Sequence, residues 1–363
     1  MIYLASIIFG FSFMQLLVAF ANLLFRQSLG RSKHGFSGLV SVLIPARNEE
    51  KNIGNLLSDL LSQNYRQIEI LVFNDLSTDN TAGIVSSFSN RDSRVRLINS
   101  VDLPEGWLGK NFACDTLSKE AKGDYFLFLD ADVRVNNDLI GNTCSLAQKH
   151  KLGLLSIFPQ QIMRTLGEKI SVPNMNYILL SLLPLILVRK SGFSSLAAAN
   201  GQCMLFNASK YRETKPHERM KANKVEDISI ARYFKQNAIP VACLAGDKTI
   251  SCRMYESLDE AIHGFSKNVI NFFGDSFVLA ILFWLVTTFG FILILFALPA
   301  SFLLAYVGII LLTRILISIV SNQSITMNLI FLIPQQLTLG LFVYKAIVNN
   351  LKKEYQWKGR SIS

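Results

Sequence analysis

The chain has 363 residues, a net charge of +10 and five cysteines, and half of its residues are hydrophobic. That length allows one large or two ordinary domains, and a mean hydropathy of +0.33 is high for a soluble protein. The cysteines (114, 144, 203, 243 and 252) show no paired spacing and the four histidines are scattered, so neither a disulfide framework nor a zinc site is suggested. The positive charge does not form a basic stripe with interleaved aromatics, so no nucleic-acid partner is expected.

In chain order, the first 25 residues carry no charge before Arg26 and are mostly apolar. An apolar helix of roughly 20 residues spans a bilayer core. Residues 3–24 therefore read as a membrane anchor, too long for a signal peptide and without a small-residue cleavage site. Arg26, Arg31, Lys33 and His34 follow directly. By the positive-inside rule the region after them lies in the cytoplasm.

Residues 35–160 alternate strand and helix patterns. The apolar runs 39–44, 68–73, 95–98, 125–129 and 152–158 read as strands. Helices are predicted over 48–62, where Ile53, Leu56, Leu57, Leu60 and Leu61 form one stripe, and over 79–88 and 109–121. Short apolar strands separated by helices predict an α/β fold, a mostly parallel sheet with helices on both faces. Ligands bind such sheets at the carboxyl ends of the strands. The clusters Pro45-Ala46-Arg47-Asn48-Glu49-Glu50, Asn74-Asp75 and Asp130-Ala131-Asp132 all fall at strand carboxyl ends.

Residues 177–188 are mostly apolar, contain Pro184 and are too short to span; a core helix and an amphipathic surface segment are both open readings. From Phe277 to Ile347 the only charged residues are Arg314 and Lys345. Two or three further spans are predicted there, over 277–298, 300–320 and 327–347, with breaks at Pro299 and Asn322-Gln323-Ser324. The basic tail (Lys345, Lys352, Lys353, Lys358, Arg360) should be cytoplasmic, yet three full C-terminal spans would put it outside. The segment holding Arg314 is the candidate for an interfacial or re-entrant path, because an intramembrane Arg is costly. The expected organisation is an anchor over 1–25, a cytoplasmic domain over 35–275, membrane segments over 276–349 and a basic tail over 350–363. The protein is expected in the cell's inner (cytoplasmic) membrane, multi-pass, with its charge facing anionic lipid headgroups.

The chemistry-bearing residues are read first on their own terms. Residues i and i+2 of a strand point to one side, so Asp130 and Asp132 are spaced to share a divalent cation, Mg²⁺ or Mn²⁺, and the diphosphate it carries. Asp75 can accept the imide N–H of a uracil, and Asp79 either caps the following helix or binds. Lys110 sits at a helix start, where an ammonium and free N–H groups can meet a phosphate. Trp107 either stacks on a ligand or packs. Glu226-Asp227 opens an amphipathic helix, where acidic residues suit N-capping. Arg253 is a candidate to face a diphosphate.

Val42-Leu43-Ile44-Pro45-Ala46-Arg47-Asn48-Glu49-Glu50, Asn74-Asp75-Leu76-Ser77-Thr78-Asp79, Asp130-Ala131-Asp132 and Glu226-Asp227, in this order, resemble the family-2 glycosyltransferases of GT-A fold. Gly106-Trp107-Leu108-Gly109-Lys110, Arg253-Met254-Tyr255 and Trp357-Lys358-Gly359-Arg360 look like the membrane-bound subgroup that glycosylates carotenoid acids, with relatives tied to hopanoid pathways. The resemblance implies that a nucleoside-diphosphate sugar is the donor, with Pro45, Glu49 and Asp75 lining its nucleotide pocket. It also implies that Asp130 and Lys110 bind the donor, that Asp132 binds the metal, and that Asp227 is the general base of an inverting transfer to a lipophilic acceptor. The subgroup's family usually has Gly where this chain has Leu76. Processive synthases carry Gln-x-x-Arg-Trp where this chain has Cys252-Arg253-Met254-Tyr255, which argues against a polymerase. The acceptor is expected to enter by residues 177–188 and the start of the C-terminal spans. A polyprenyl-phosphate glycosyltransferase and a non-catalytic nucleotide-sugar-binding membrane protein are the alternatives.

Overall fold

The structure is a computed structural model that describes residues 1–30, 35–352, 356–357 and 360–361. Arg31, Lys33, His34, Lys353, Lys358 and Gly359 lie outside the described residues; Gln356–Trp357 and Arg360–Ser361 pair as antiparallel backbone strands. The chain divides into two compact units. One comprises Gln27–Gln160 and Leu185–Cys252, the other Met1–Arg26, Gln161–Pro184 and Arg253–Ser363. This division differs from the block 35–275 expected as one domain. Residues 161–184 and those from 253 onward group with the apolar helices because their side chains bond there. Gln15 donates to Ser181 Oγ at 3.0 Å, and Asn22 donates to the carbonyls of Leu180 and Leu183 at 3.0 Å each. Phe265 of helix Leu258–Asn268 packs on Phe342, with ring centroids 5.0 Å apart.

The first unit is built on ten strands or parts of strands: β1 (Val40–Ala46), β2 (Ile68–Asn74), β3 (Val95–Asn99), β4 (Tyr125–Leu129), β5 (Val133–Val135), β6 (Leu154–Phe158), β7 (Gln160–Gln161), β8 (Cys203–Asn207), β9 (Val241–Ala245) and β10 (Ile250–Cys252). The main sheet has the order β3-β2-β1-β4-β8-β6-β9. β1, β2, β3 and β4 run parallel, as do β6 and β9. β8 is antiparallel to both of its neighbours, and it falls in the stretch after residue 160 where no strand was predicted. β5 pairs antiparallel with β10. Every residue of β4, β6 and β9 is buried, as two-sided coverage requires of continuous apolar runs. All five cysteines are free and buried.

The carboxyl ends of β1, β2 and β4 share one edge because the three strands are parallel neighbours. The loops at that edge explain a boundary difference. The helix predicted from residue 48 begins at Ile53. The preceding backbone N–H groups are taken by side chains of the loop after β2: Asn48 by Ser77, Glu49 by Thr81 and Glu50 by Asp79. Asp79 also accepts from Thr81 N at 3.0 Å, so its carboxylate is spent on capping and loop closure. Leu76 holds φ at +51°, a left-handed conformation that glycine adopts without steric cost.

Beneath β4 and β8, His217 is 2% exposed. Its Nδ1 lies 2.7 Å from the Tyr211 hydroxyl, and its ring packs 5.0 Å from that of Phe128. Burial, together with the Lys110 charge, lowers its pKa from the usual 6.5 to about 3. The unfolded chain therefore binds a proton that the folded one refuses, and stability falls as pH drops from about 6.5 toward 3. The expected loss from this residue between pH 7.5 and 5.5 is about 1.4 kcal/mol. Urea midpoints of wild type and His217→Leu in detergent check this: the wild type should lose more than the variant over that interval, and parallel losses would refute it.

Among the described residues, the second unit contains three helices long and apolar enough to cross a membrane: Ile2–Leu24, Phe277–Ala297 and Ala300–Val320. Their outward faces carry exposed Leu4, Ile7, Val278, Phe296 and Leu304, as lipid contact requires. Ala5 and Ile8 of the first helix pack with Ile294 and Tyr306 of the other two. The Arg314 segment, expected to lie in the interface or re-enter, is one of the three by length and apolarity. The region expected as a span over 327–347 is instead a short helix, Ile325–Ile330, followed by Leu332–Lys352. Arg314 is buried, stacks 3.6 Å from the Tyr177 ring centroid and donates to Gln335 Oε1 at 3.2 Å; cation–π contact and a side-chain acceptor lessen the cost of its charge. Helix Pro173–Leu182 is buried almost throughout, which answers the open reading of residues 177–188 for its first half as a core helix.

Candidate active site

Helix Gly109–Glu120 begins next to the loop that leads into helix Glu226–Gln236. Leu108 N donates to Lys221 O at 2.8 Å. The buried Asn111 amide donates to the carbonyls of Met220 and Asn223 at 2.7 and 3.0 Å. These bonds hold the first turn of helix Gly109–Glu120 against the loop that precedes helix Glu226–Gln236. A third piece is the segment Asn200–Gln202 before β8. Asn200 exchanges hydrogen bonds with Ser156 Oγ of β6, and Asp130 N donates to Gln202 O at 3.1 Å.

Four charged side chains meet there. Lys110 Nζ lies 2.8 Å from Asp130 Oδ1 and 3.5 Å from Glu226 Oε1, and donates to Gly201 O at 3.3 Å. Asp227 accepts from Gly201 N through Oδ2 at 2.9 Å and from Ile228 N through Oδ1 at 2.8 Å. Gly201 thus bonds both the lysine and the aspartate through its backbone. A Cβ there would stand 3.0 Å from Lys110 Nζ and 3.3 Å from Glu226 Oε1, so glycine is what leaves this space open.

The electrostatics follow from one cation among three carboxylates. Burial alone would lower the Lys110 pKa, but Asp130 and Glu226 outweigh it and hold the ammonium well above its usual value. Burial raises the Glu226 carboxyl, against the pull of Lys110, with Asp227 adding to the rise. Burial also raises Asp227, opposed by its two backbone N–H donors and by Lys110. A carboxylate with raised affinity for a proton, fixed by two donors, suits general-base chemistry.

The remaining predicted residues lie at the strand ends, in the other unit and beside helix Gly109–Glu120. Pro45 is the penultimate residue of β1, Glu49 lies in the loop after it and accepts from Asn52 at 2.9 Å, and Asp75 is 2% exposed just beyond β2. Asp130 and Asp132 follow β4, as the strand-end reading placed them; the Cys252 thiol hydrogen-bonds Asp132. Arg253 belongs to the other unit, where its guanidinium lies 2.8 Å from the fully buried Glu168 and 3.0 Å from Glu256. Trp107 packs edge-on against Phe112, with centroids 5.7 Å apart.

Among the described residues, no three His, Cys, Asp or Glu side chains converge to hold an ion. The donor set at the strand end is two carboxylates, hard oxygen ligands that fit Mg²⁺ or Mn²⁺ when substrate phosphates complete the shell. Gly201, Asn111 and Glu226 were not among the predicted site residues. Glu226 had a sequence signal in its neighbour Asp227; Gly201 and Asn111 act through backbone groups far away in the chain and had none.

Residues 41–214 match the family model described as glycosyl transferase family 2. This segment is a family-2 glycosyltransferase domain. The chain is 31% identical over 239 residues to 4,4'-diaponeurosporenoate glycosyltransferase of Staphylococcus haemolyticus, covering 63% of this chain and 60% of that one. It is 28% identical over 259 residues to the protein of the same name from Staphylococcus aureus, covering 68% and 65%. The chain thus spans under two thirds of the length of these relatives. Among solved structures, the mannosyltransferase PcManGT of Pyrobaculum calidifontis, in complex with GDP-Man and Mn²⁺, superposes with a TM-score of 0.62 at 15% identity, covering 98% of each chain. That likeness bears on fold, and the transferase domain has the GT-A architecture: a mostly parallel mixed sheet with helices.

Proposed function

We propose that the chain is an inverting, membrane-anchored glycosyltransferase. It moves a hexosyl unit from a nucleoside-diphosphate sugar, a UDP-sugar by the Asp75 pocket, to a lipophilic acceptor such as a carotenoid acid or hopanoid. The observation that carries this reading is the meeting of Lys110, Asp130, Glu226 and Asp227 around Gly201 at the carboxyl edge of the sheet. The relatives named for diaponeurosporenoate support the acceptor class.

Pro45, Glu49 and Asp75 hold the nucleotide, with the buried Asp75 carboxylate facing the base. Asp130 binds the ribose and Lys110 the diphosphate. Asp130 and Asp132 would hold Mg²⁺ or Mn²⁺, which when bound supplies positive charge for the phosphates; the Mn²⁺ complex of the structural neighbour supports this. Asp227 takes the proton of an acceptor hydroxyl as its oxygen attacks the anomeric carbon. The bond from that carbon to the phosphate oxygen breaks, and its electron pair leaves with the nucleoside diphosphate. Attack opposite the leaving group inverts the anomeric centre. An acceptor carboxylate is already ionised near neutral pH, and Asp227 then orients it. We assign no donor role to Arg253 beyond the expectation, since two carboxylates hold its guanidinium.

With the three candidate helices as spans, the transferase domain and the basic C-terminal tail would share one side of the membrane, and the positive-inside rule supports the cytoplasmic side. This removes the conflict that three C-terminal spans would create. Proton NMR of the product tests the mechanism: an α-configured donor should yield a β-glycoside, and an α product would refute inversion.

A further inference from the structure

Helix Leu185–Lys190 ends in Arg189 and Lys190, and helix Leu139–Lys149 ends in Lys149, followed by His150 and Lys151. The two ends meet: Arg189 Nη1 lies 3.4 Å from His150 Nδ1, and Arg189 Nη2 donates to Gln27 Oε1 at 3.4 Å. Lys149, Lys151 and Lys190 are exposed. Among the described residues none of these four cations forms an ion pair with a carboxylate. Beside them, three residues past Lys190, Phe193 is 74% exposed.

This phenylalanine is held out rather than left loose. The buried Lys235 ammonium donates to the carbonyls of Val188 at 3.0 Å and Leu196 at 2.9 Å, pinning the loop on both sides of Phe193. Within the loop, Phe193 N donates to Ser191 Oγ at 3.0 Å and Leu196 N to Phe193 O at 3.1 Å. Water solvates a basic patch well, but it gives no reason to fix an aromatic ring outside the fold. A surface of anionic headgroups over acyl chains matches both halves, the charges and the ring.

We propose that Phe193 with Lys149, Lys151, Arg189 and Lys190 forms a second, peripheral membrane contact on the transferase domain, selective for anionic lipid. This goes beyond the transferase reading and does not depend on it. The test uses the full chain in lipid nanodiscs with a nitroxide on Phe193→Cys; the native cysteines are all buried. Val101→Cys, at a position 96% exposed in another loop, is the control. In nanodiscs containing anionic phospholipid, the label at 193 should be more accessible to oxygen than to a water-soluble nickel chelate. Neutral nanodiscs, or Gln at all four cations with an unchanged melting temperature, should reverse that order, and the label at 101 should stay nickel-accessible throughout. Nickel accessibility at 193 in anionic nanodiscs would overturn the proposal. So would lipid exposure independent of charge, or shielding from both reagents, which would indicate a protein partner.

Discussion

Lys110→Met is expected to lower kcat/KM by about 100-fold or more, the range seen when a charge-stabilising donor is removed from a reacting site. The lysine is the cation that Asp130 and Glu226 share, and methionine keeps much of its stem while deleting the charge. Three carboxylates then face one another without it. The Glu226 carboxyl, already raised by burial, loses its main opposing charge and rises further. The variant's pH–rate profile should therefore shift to higher pH, and its affinity for UDP should weaken. Turnover within a few-fold of wild type, with an unmoved profile, would reduce Lys110 to a lysine in the first turn of an ordinary helix.

Asp227→Asn separates the two acceptor chemistries. Asn keeps the size, and its single carbonyl oxygen keeps one of the two bonds, from Gly201 N or Ile228 N, so an unchanged melting temperature is the control that the fold of this corner persists. With a hydroxyl acceptor the lost base should cost about 10²–10⁴-fold in kcat. With a carboxylate acceptor no proton has to be removed, and most activity should remain. The measurement is kcat on hydroxyl- and carboxyl-terminated lipids of the same chain. Equal, small effects on both would remove Asp227 from the base role altogether.

Local pattern and tertiary chemistry differ in how visible they were. The runs around Val42, Leu71 and Phe128 announced β1, β2 and β4, and with them the edge where Pro45, Glu49, Asp75, Asp130 and Asp132 stand. Period and apolarity are local signals, and so was the long apolar helix Ile2–Leu24. β8 was not visible. Cys203–Asn207 is five residues between a turn and a helix, and its antiparallel place beside β4 is decided by partners, not by its own sequence. Gly201 and Asn111 matter through a carbonyl, an N–H and an amide reaching across 26 to 112 positions of the chain. Arg253 looked like a phosphate ligand by position, yet Glu168, 85 residues earlier, holds it. The Arg314 segment looked too costly to cross a membrane because its partners Gln335 and Tyr177 come from other helices.

The central claim is transfer of a sugar from a nucleotide to a membrane lipid at the Asp130–Asp132 edge. The most direct measurement incubates detergent-purified protein with Mn²⁺ or Mg²⁺, labelled UDP-glucose and lipid extract from the source cells, and follows label into the organic phase. Label should appear there with wild type, vanish with Asp132→Ala and vanish on chelation, and mass analysis should then identify the acceptor. UDP-glucose binding with no organic-phase label from any extract would contradict the claim and favour a nucleotide-sugar-binding protein without turnover.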